Sequence, residues 1–137
     1  MFDSRSRLLV TGATGFLGGA IIADLVTRSL WPQVRLLVRA PSKAAGAERI
    51  RATLAQFEVP AEQIARVSAE QIILGDLGTP DAICTDAALA TITHVINSAA
   101  LATFSTNPQL WPINVEGTFT FARRLSEVAR LDRKSVV

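Results

Sequence analysis

Three glycines at intervals of three residues carry the strongest chemical signal in the sequence. They occur in the run Thr11-Gly12-Ala13-Thr14-Gly15-Phe16-Leu17-Gly18, which follows a short apolar stretch and opens a segment with helical spacing. In this context Gly12 permits a sharp strand-to-helix turn, Gly15 lets a pyrophosphate approach the backbone, and Gly18 lets the helix pack closely on the strand. The N–H groups of the first helical turn would then point at the phosphates, where the helix dipole favours negative charge.

Two alternatives to a dinucleotide-binding turn exist for this run. A glycine-rich turn without a ligand is one, but the spacing and the strand-to-helix context favour a binding site, to which Thr14 adds a hydroxyl donor. A P-loop is the other, and it ends in Gly-Lys followed by Ser or Thr. Here Gly18 is followed by Gly19 and Ala20, which excludes a P-loop NTPase.

The choice of nucleotide depends on the residue that ends the second apolar run. An NAD-binding site has Asp or Glu at about this distance, to accept a hydrogen bond from the ribose 2′-hydroxyl. This chain has Arg39, 21 residues after Gly18, and the next acidic residue is Glu48. A guanidinium here can pair with a 2′-phosphate, so we predict that NADP(H) is preferred over NAD(H). Lys43 and Arg49 are close enough in sequence to join it, and a solvated surface charge is the alternative for each of these basic residues.

Later apolar runs end in residues that suit the rest of a dinucleotide. Asp76 closes the third run, where an adenine ring would lie, although a turn cap explains it equally well. Ala99 and Ala100 follow the fourth run, and small residues there would let the ligand cross the strand ends or would simply allow helix packing. Residues 103–105 follow as a loop that would face the nicotinamide or a substrate.

Three further polar residues have less specific surroundings. Asn114 lies among apolar neighbours, which indicates a buried hydrogen-bonding role that is either structural or catalytic. Cys84 has no activating neighbour and is predicted to be inert. His94 begins a strand-like run and is predicted to be structural.

Short apolar runs alternate with longer helical segments, the pattern of a parallel α/β sheet. We predict strands at residues 7–11, 34–39, 71–74, 94–97 and 135–137, and helices at residues 15–29, 42–57, 80–89 and 107–130. The predicted apolar faces are Leu17, Ile21, Leu25 and Ser29 in the first helix and Ile50, Leu54 and Phe57 in the second. The fold class is α/β, a Rossmann-type doubly wound parallel sheet in one domain, residues 1–137, truncated after about five strands.

Composition excludes several other classes of protein. The 137 residues carry 14 basic and 12 acidic side chains, and a net charge of +2 gives no electrostatic case for a nucleic-acid partner. One cysteine and one histidine exclude a disulfide framework and a metal site rich in these residues. No apolar run is long enough for a membrane span and the N-terminus is not a signal peptide, so we predict a cytoplasmic location.

In their order along the chain, these motifs resemble the extended short-chain dehydrogenase/reductases. The resemblance covers residues 7–137 and rests on Thr11-Gly12-x-x-Gly15-x-x-Gly18, Arg39, Gly75-Asp76-Leu77, Asn97-Ser98-Ala99-Ala100 and Asn114-x-x-Gly117-Thr118. Within that superfamily, Leu36-Leu37-Val38-Arg39-Ala40 with Glu48-Arg49-Ile50, and Phe104 before Ile113-Asn114, are similar to the fatty acyl and thioester reductases of the male sterility type.

The resemblance implies an NADP(H)-binding domain of an oxidoreductase that passes hydride to an acyl thioester or a carbonyl. The pyrophosphate loop would then consist of Gly12, Thr14, Gly15, Phe16, Leu17 and Gly18. Arg39 and Arg49 would contact the 2′-phosphate, Asp76 and Leu77 the adenine, and Ala99 and Ala100 the nicotinamide ribose. Asn114 would support the proton relay of the active site.

The catalytic Tyr-x-x-x-Lys of such enzymes has no counterpart, because the sequence contains no tyrosine. That Tyr is the general acid or base of the reaction, so the chain alone is predicted to be catalytically inactive. Two functions stay open: the cofactor-binding part of a reductase, and a non-catalytic NADP(H)-binding sensor or regulatory module.

The last predicted strand has only the three residues from Ser135 to Val137, fewer than the five or six of a typical strand. We therefore predict that the sequence is a fragment of a longer protein, with a disordered tail as the alternative. A sheet that stops there exposes an apolar edge, which predicts a homo-oligomer formed through that edge.

Overall fold

Five parallel strands form one sheet in the computed structural model, which describes residues 2–100 and 106–131 and the backbone of residues 133–136. The strands are β1 Leu8–Thr11, β2 Val34–Val38, β3 Ile72–Leu74, β4 His94–Asn97 and β5 Arg133–Val136. All five were predicted from the apolar runs, with ends that differ by at most two residues.

The order of the strands, β3-β2-β1-β4-β5, places a reversal beside β1. The chain moves outward from β1 to β3 and then returns to the other side of β1 with β4, where Thr11 is in register with Asn97. In open parallel sheets, ligands bind outside the carboxyl ends of the strands at such a reversal. The predicted fold class, a doubly wound Rossmann-type sheet, is confirmed.

Helices connect the strands and lie on both faces of the sheet. They are α1 Phe16–Leu25, α2 Lys43–Gln56, α3 Ala61–Ile64, α4 Pro80–Ile83 and α5 Thr118–Val128. Ser42 caps α2, because its hydroxyl accepts a hydrogen bond from the backbone N–H of Ala45 at 3.1 Å. This cap marks the helix start where the prediction had placed it.

The buried face of α1 matches the predicted one only in part. Gly18, Gly19, Ile22 and Leu25 face the core, whereas Leu17 is half exposed. The reason is the close packing that the two glycines permit, since a Cβ on Gly19 would overlap the ring of Phe57, the residue that follows α2. Of the predicted stripe, Leu25 is buried and Ile21 packs against the core, whereas Leu17 and Ser29 were predicted wrongly. The helix α1 ends at Leu25 rather than at residue 29.

The helix predicted at residues 107–130 is present over residues 110–128, but its geometry changes within it. A π-helical turn, Pro112–Gly117, precedes the regular helix α5. Pro112 lies at the start of this turn, as expected for a residue without a backbone N–H. The helix predicted at residues 80–89, by contrast, is divided into α4 and a 3₁₀ turn, Ala87–Thr91, whose start is capped by Asp86.

Both faces of the sheet are covered by apolar side chains, because successive residues of a strand point to opposite faces. On one face, Leu8, Val10, Leu36 and Ile72 pack with side chains of α1 and α2, among them Ile22, Ile50 and Leu54. On the other, Leu9, Leu37, Ile73 and Val95 pack with Ile83, Leu89, Phe121 and Leu125. This coverage holds the strand ends in fixed positions.

Gln71 ties the segments that precede β2 and β3. Its amide nitrogen donates to the carbonyl oxygen of Trp31 at 2.9 Å, and its amide oxygen accepts from the N–H of Ser68 at 3.0 Å. Trp31 is itself buried, and its indole N–H donates to the carbonyl of Arg66 at 3.0 Å. A buried amide with both ends bonded fixes the entry of both strands into the sheet.

We expect Gln71→Ala to lower the free energy of unfolding by about 1–3 kcal/mol, because it removes the hydrogen bonds of a buried amide to the Trp31 carbonyl and the Ser68 N–H. The neighbouring Glu70→Ala, at an exposed residue, should change stability by no more than about 0.5 kcal/mol. Urea unfolding followed by circular dichroism measures both. Equal effects of the two substitutions would contradict the role given to Gln71.

Candidate functional site

The turn after β1 is built around Gly12, which has a φ of +71°. Side chains strongly disfavour this region of backbone conformation. A Cβ at this position would also lie 2.5 Å from the backbone nitrogen of Ala99 and 2.6 Å from the carbonyl carbon of Ser98. The turn is thus pressed against the segment that follows β4, and only glycine fits.

Gly15 and Gly18 have different surroundings within the same turn. A Cβ on Gly18 would overlap the carbonyl group of Gly12, so this glycine packs the start of α1 under the turn. A Cβ on Gly15 would meet only the oxygen of Gly12, at 3.3 Å, and is otherwise in open space. Gly15 precedes α1 without any side-chain cap, which leaves the first N–H groups of the helix available to an anion.

A buried polar link holds the ends of β1 and β4 together. The Thr11 hydroxyl donates to the amide oxygen of Asn97, and the Ser98 hydroxyl donates to the carbonyl oxygen of Thr11 at 2.7 Å. Thr11 and Asn97 are both buried. These contacts were not predicted from the sequence, although each of the two apolar runs ends in a polar residue.

A cleft of about 300 Å³ lies over the carboxyl ends of the strands. It brings together most of the residues predicted to bind a cofactor: Gly12, Thr14, Gly15, Arg39, Arg49, Asp76, Leu77, Ala99 and Ala100. Ser98, in the same small-residue segment as Ala99 and Ala100, also lines it, and so does Ile113, which was not predicted. The strand reversal and this cleft coincide, as expected for an open parallel sheet.

The remaining predicted residues lie outside the lining of the cleft. Phe16 is 87% exposed, and its ring lies 5.9 Å from that of Phe57. Leu17 is half exposed on α1, and Gly18 is buried under the turn. Asn114 is half-buried in the π-helical turn, next to Ile113. Residues 103–105 lie outside the part of the chain that the structure describes.

One end of the cleft carries two guanidinium groups. Arg39 forms an ion pair with Asp76, with 3.1 Å between its Nη1 and Oδ2 of the carboxylate. Arg49 donates from its guanidinium to the backbone carbonyl of Arg39. Lys43 does not join them, because its ammonium lies 3.6 Å from the carboxylate of Asp86 and it does not line the cleft.

Asp76 also fixes the turn after β3. Its Oδ1 accepts a hydrogen bond from the N–H of Gly78 at 2.8 Å, which is the geometry of an Asx turn. Both interpretations of this residue, a turn cap and a residue beside the cleft, therefore describe its position.

Cys84 and His94 do not line this cleft. Burial raises the pKa of the Cys84 thiol, and Asp81 and Glu127 raise it further, while Arg124 opposes them. A thiol with a raised pKa is mostly protonated at neutral pH, which fits the predicted lack of reactivity. His94 packs edge-on against the ring of Phe2, with 5.2 Å between the centroids.

Neither a metal cluster nor a membrane helix occurs in the described part of the chain. Its His, Cys, Asp and Glu residues do not come together in groups of three or more that could hold an ion. Of the helices over the same residues, none is long and apolar enough to cross a bilayer.

The profile of the male sterility protein family, a family of NAD-binding domains, matches residues 10–135. The chain belongs to this family. The match includes the glycine turn, the cleft and the strand reversal, so the domain is an NAD(P)-binding domain of an oxidoreductase family.

Solved structures of reductase domains resemble this family member along nearly its whole length. The terminal R domain of the myxalamid PKS-NRPS pathway has a TM-score of 0.74 and 25% identity over 99% of this chain. The PhqB reductase domain of Penicillium fellutanum has a TM-score of 0.67 and 28% identity over 90% of it. Among curated proteins, the aldehyde reductase lnbA of Aspergillus flavus is 40% identical over 57 residues, which are 42% of this chain.

The chain spans only part of each of these proteins. It covers 35% of the myxalamid domain, 34% of the PhqB domain and 6% of the Aspergillus flavus reductase.

Substitutions at Gly12 and Gly15 should separate folding from binding. We expect Gly12→Ala to lower the free energy of unfolding by about 2 kcal/mol or more, because of its positive φ and the overlap with Ala99. Gly15→Ala should change stability by less than about 1 kcal/mol but weaken nucleotide binding, since its methyl group occupies the open side of the turn. Thermal unfolding and nucleotide titration measure the two effects, and a Gly15→Ala variant that binds like the wild type would contradict the second.

Proposed function

We propose that this chain is the cofactor-binding part of an NADP(H)-dependent reductase that acts on an acyl thioester or a carbonyl compound. The observation that carries the choice of NADP(H) is the placement of Arg39 and Arg49 at one end of the cleft. A 2′-phosphate needs such cations, whereas a ribose hydroxyl needs an acceptor. The reductase names of the relatives support the reaction class.

Different residues of the cleft suit different parts of a dinucleotide. The open side of Gly15 and the uncapped start of α1 suit the pyrophosphate, with Gly12 and Thr14 beside them. We assign the adenine to Asp76 and Leu77, and the nicotinamide ribose to Ala99 and Ala100. The cofactor would supply the hydride, and the chain's own residues bind and orient it.

We further propose that the chain alone does not transfer hydride. It contains no tyrosine that could act as the general acid or base, and Asn114 would only support the proton relay. The second candidate function, a non-catalytic NADP(H)-binding sensor or regulatory module, is favoured by the same missing tyrosine. Mixing the chain with NADPH and a short acyl thioester or an aldehyde tests this point, since any enzyme-dependent loss of absorbance at the reduced nicotinamide band would contradict it.

The cofactor preference can be measured directly. We expect NADPH to bind at least about tenfold more tightly than NADH, because a charge-assisted contact to a phosphate contributes about 1.5–3 kcal/mol. Arg39→Asp should reverse this preference, because the carboxylate repels the phosphate and accepts from a hydroxyl. Arg123→Asp, at an exposed residue of α5 outside the cleft, is the charge-matched control. Unchanged preference in Arg39→Asp would refute the assignment.

We also propose that copies of the chain associate through the β5 side of the sheet. β5 is an edge strand, and the helical segment before it exposes Trp111, Val115 and Phe119 at intervals of four residues. Exposed apolar groups with this spacing form one stripe on a helix.

Light scattering should show a mass above the 14.7 kDa of one chain at tens of micromolar protein, in line with this edge and stripe. Replacing Trp111 and Phe119 together by Ser should restore the monomer, since most of the stripe is removed. Phe16→Ser, at an exposed phenylalanine on α1, is the matched control. A monomeric wild-type chain over the whole concentration range would overturn this proposal.

The predicted cytoplasmic location is a separate expectation, which cell fractionation would test.

A further inference from the structure

Asp76 divides its carboxylate between two partners. Oδ1 accepts from the N–H of Gly78 at 2.8 Å and holds the turn after β3. Oδ2 faces Nη1 of Arg39 at 3.1 Å. The first contact is part of the fold, whereas the second reaches across 37 residues to a guanidinium that lines the same cleft.

The Arg39 guanidinium is available to a second anion. Its side chain is 79% exposed and that of Asp76 is 39% exposed. Exposed ion pairs contribute little to stability, so a better acceptor can displace the carboxylate. A phosphate is a better acceptor, since it carries a charge of about −1.5 to −2 and several oxygens.

The charges at this end of the cleft favour a phosphate only in part. Arg39 and Arg49 supply two positive charges, and Asp76 offsets one of them. Among the described residues, no carboxylate forms an ion pair with Arg49. A bound 2′-phosphate would therefore meet the two cations and the carboxylate at once.

We propose that Asp76 is a specificity-determining residue: its carboxylate competes with a 2′-phosphate for Arg39 and so weakens the preference of the cleft for 2′-phosphorylated nucleotides. This inference rests on the proposed function, because it concerns the same nucleotide site. In this proposal Arg39 favours binding of the 2′-phosphate and Asp76 disfavours it, although the two side chains form an ion pair.

Two nucleotides that differ in one phosphate isolate this effect. 2′,5′-ADP and 5′-AMP share the adenosine and the 5′-phosphate, so the ratio of their dissociation constants reports the 2′-phosphate alone. We expect Asp76→Asn to raise the preference for 2′,5′-ADP about two- to fivefold, the range expected for loss of one exposed competing ion pair. The asparagine keeps an oxygen for the N–H of Gly78, and Asp76→Ser, whose hydroxyl can serve the same turn, is the second variant.

Two further variants show whether the gain arises at Arg39. Asp81→Asn removes an exposed carboxylate that pairs with Arg124 outside the cleft, and it should leave the ratio unchanged. In an Arg39→Gln background, Asp76→Asn should retain less than half of its effect, because competition requires the guanidinium. Added salt should reduce the gain in the wild-type background, since these charges are exposed to solvent.

Each result decides between distinct conclusions. An unchanged or lower ratio in both Asp76 variants overturns the inference and leaves Asp76 as a residue that holds the turn or positions Arg39. An equal gain in the Arg39→Gln background also overturns it, because the effect would then be general repulsion. A wild-type chain that binds neither nucleotide refutes the proposed function itself, and the inference falls with it.

Discussion

The close approach of the Gly12 turn to the segment after β4 is the contact on which the rest of the site depends. The positive φ of Gly12 reverses the chain within one residue, and the absence of a Cβ lets the turn lie against Ser98 and Ala99. The buried hydroxyl of Thr11 reinforces this contact by bonding to Asn97. As a result, α1 begins beside the strand reversal, directly after Gly15, which lines the cleft.

The charged end of the cleft consists of residues from separate segments that the fold brings together. Arg39 follows β2 and Asp76 follows β3. Because these two strands are parallel neighbours, both residues lie at the carboxyl ends of the strands, side by side. Arg49 comes from α2, whose Ile50 and Leu54 pack against that half of the sheet. Opposite charges thus meet in one place because parallel strands end together, although the residues lie far apart in sequence.

Several predictions succeeded because the local sequence left little choice. The apolar runs gave all five strands, and Ser42 marked the start of α2 because its hydroxyl caps the helix. The buried face of α1 was predicted correctly only in part. A count of apolar residues favoured the stripe through Leu17, but the contact is made by Gly18 and Gly19, whose lack of side chains permits close packing.

The sequence by itself determined the fold class and the glycine turn, because both follow from local rules: side-chain alternation, helix spacing and the backbone freedom of glycine. It also brought the candidate residues to the ends of predicted strands. Only the tertiary structure decided that Lys43 pairs with Asp86, that Arg39 pairs with Asp76, and that Ser98 lines the cleft. Such pairings depend on the strand order and on the packing of α2. Both are determined by contacts between residues that lie far apart in the sequence.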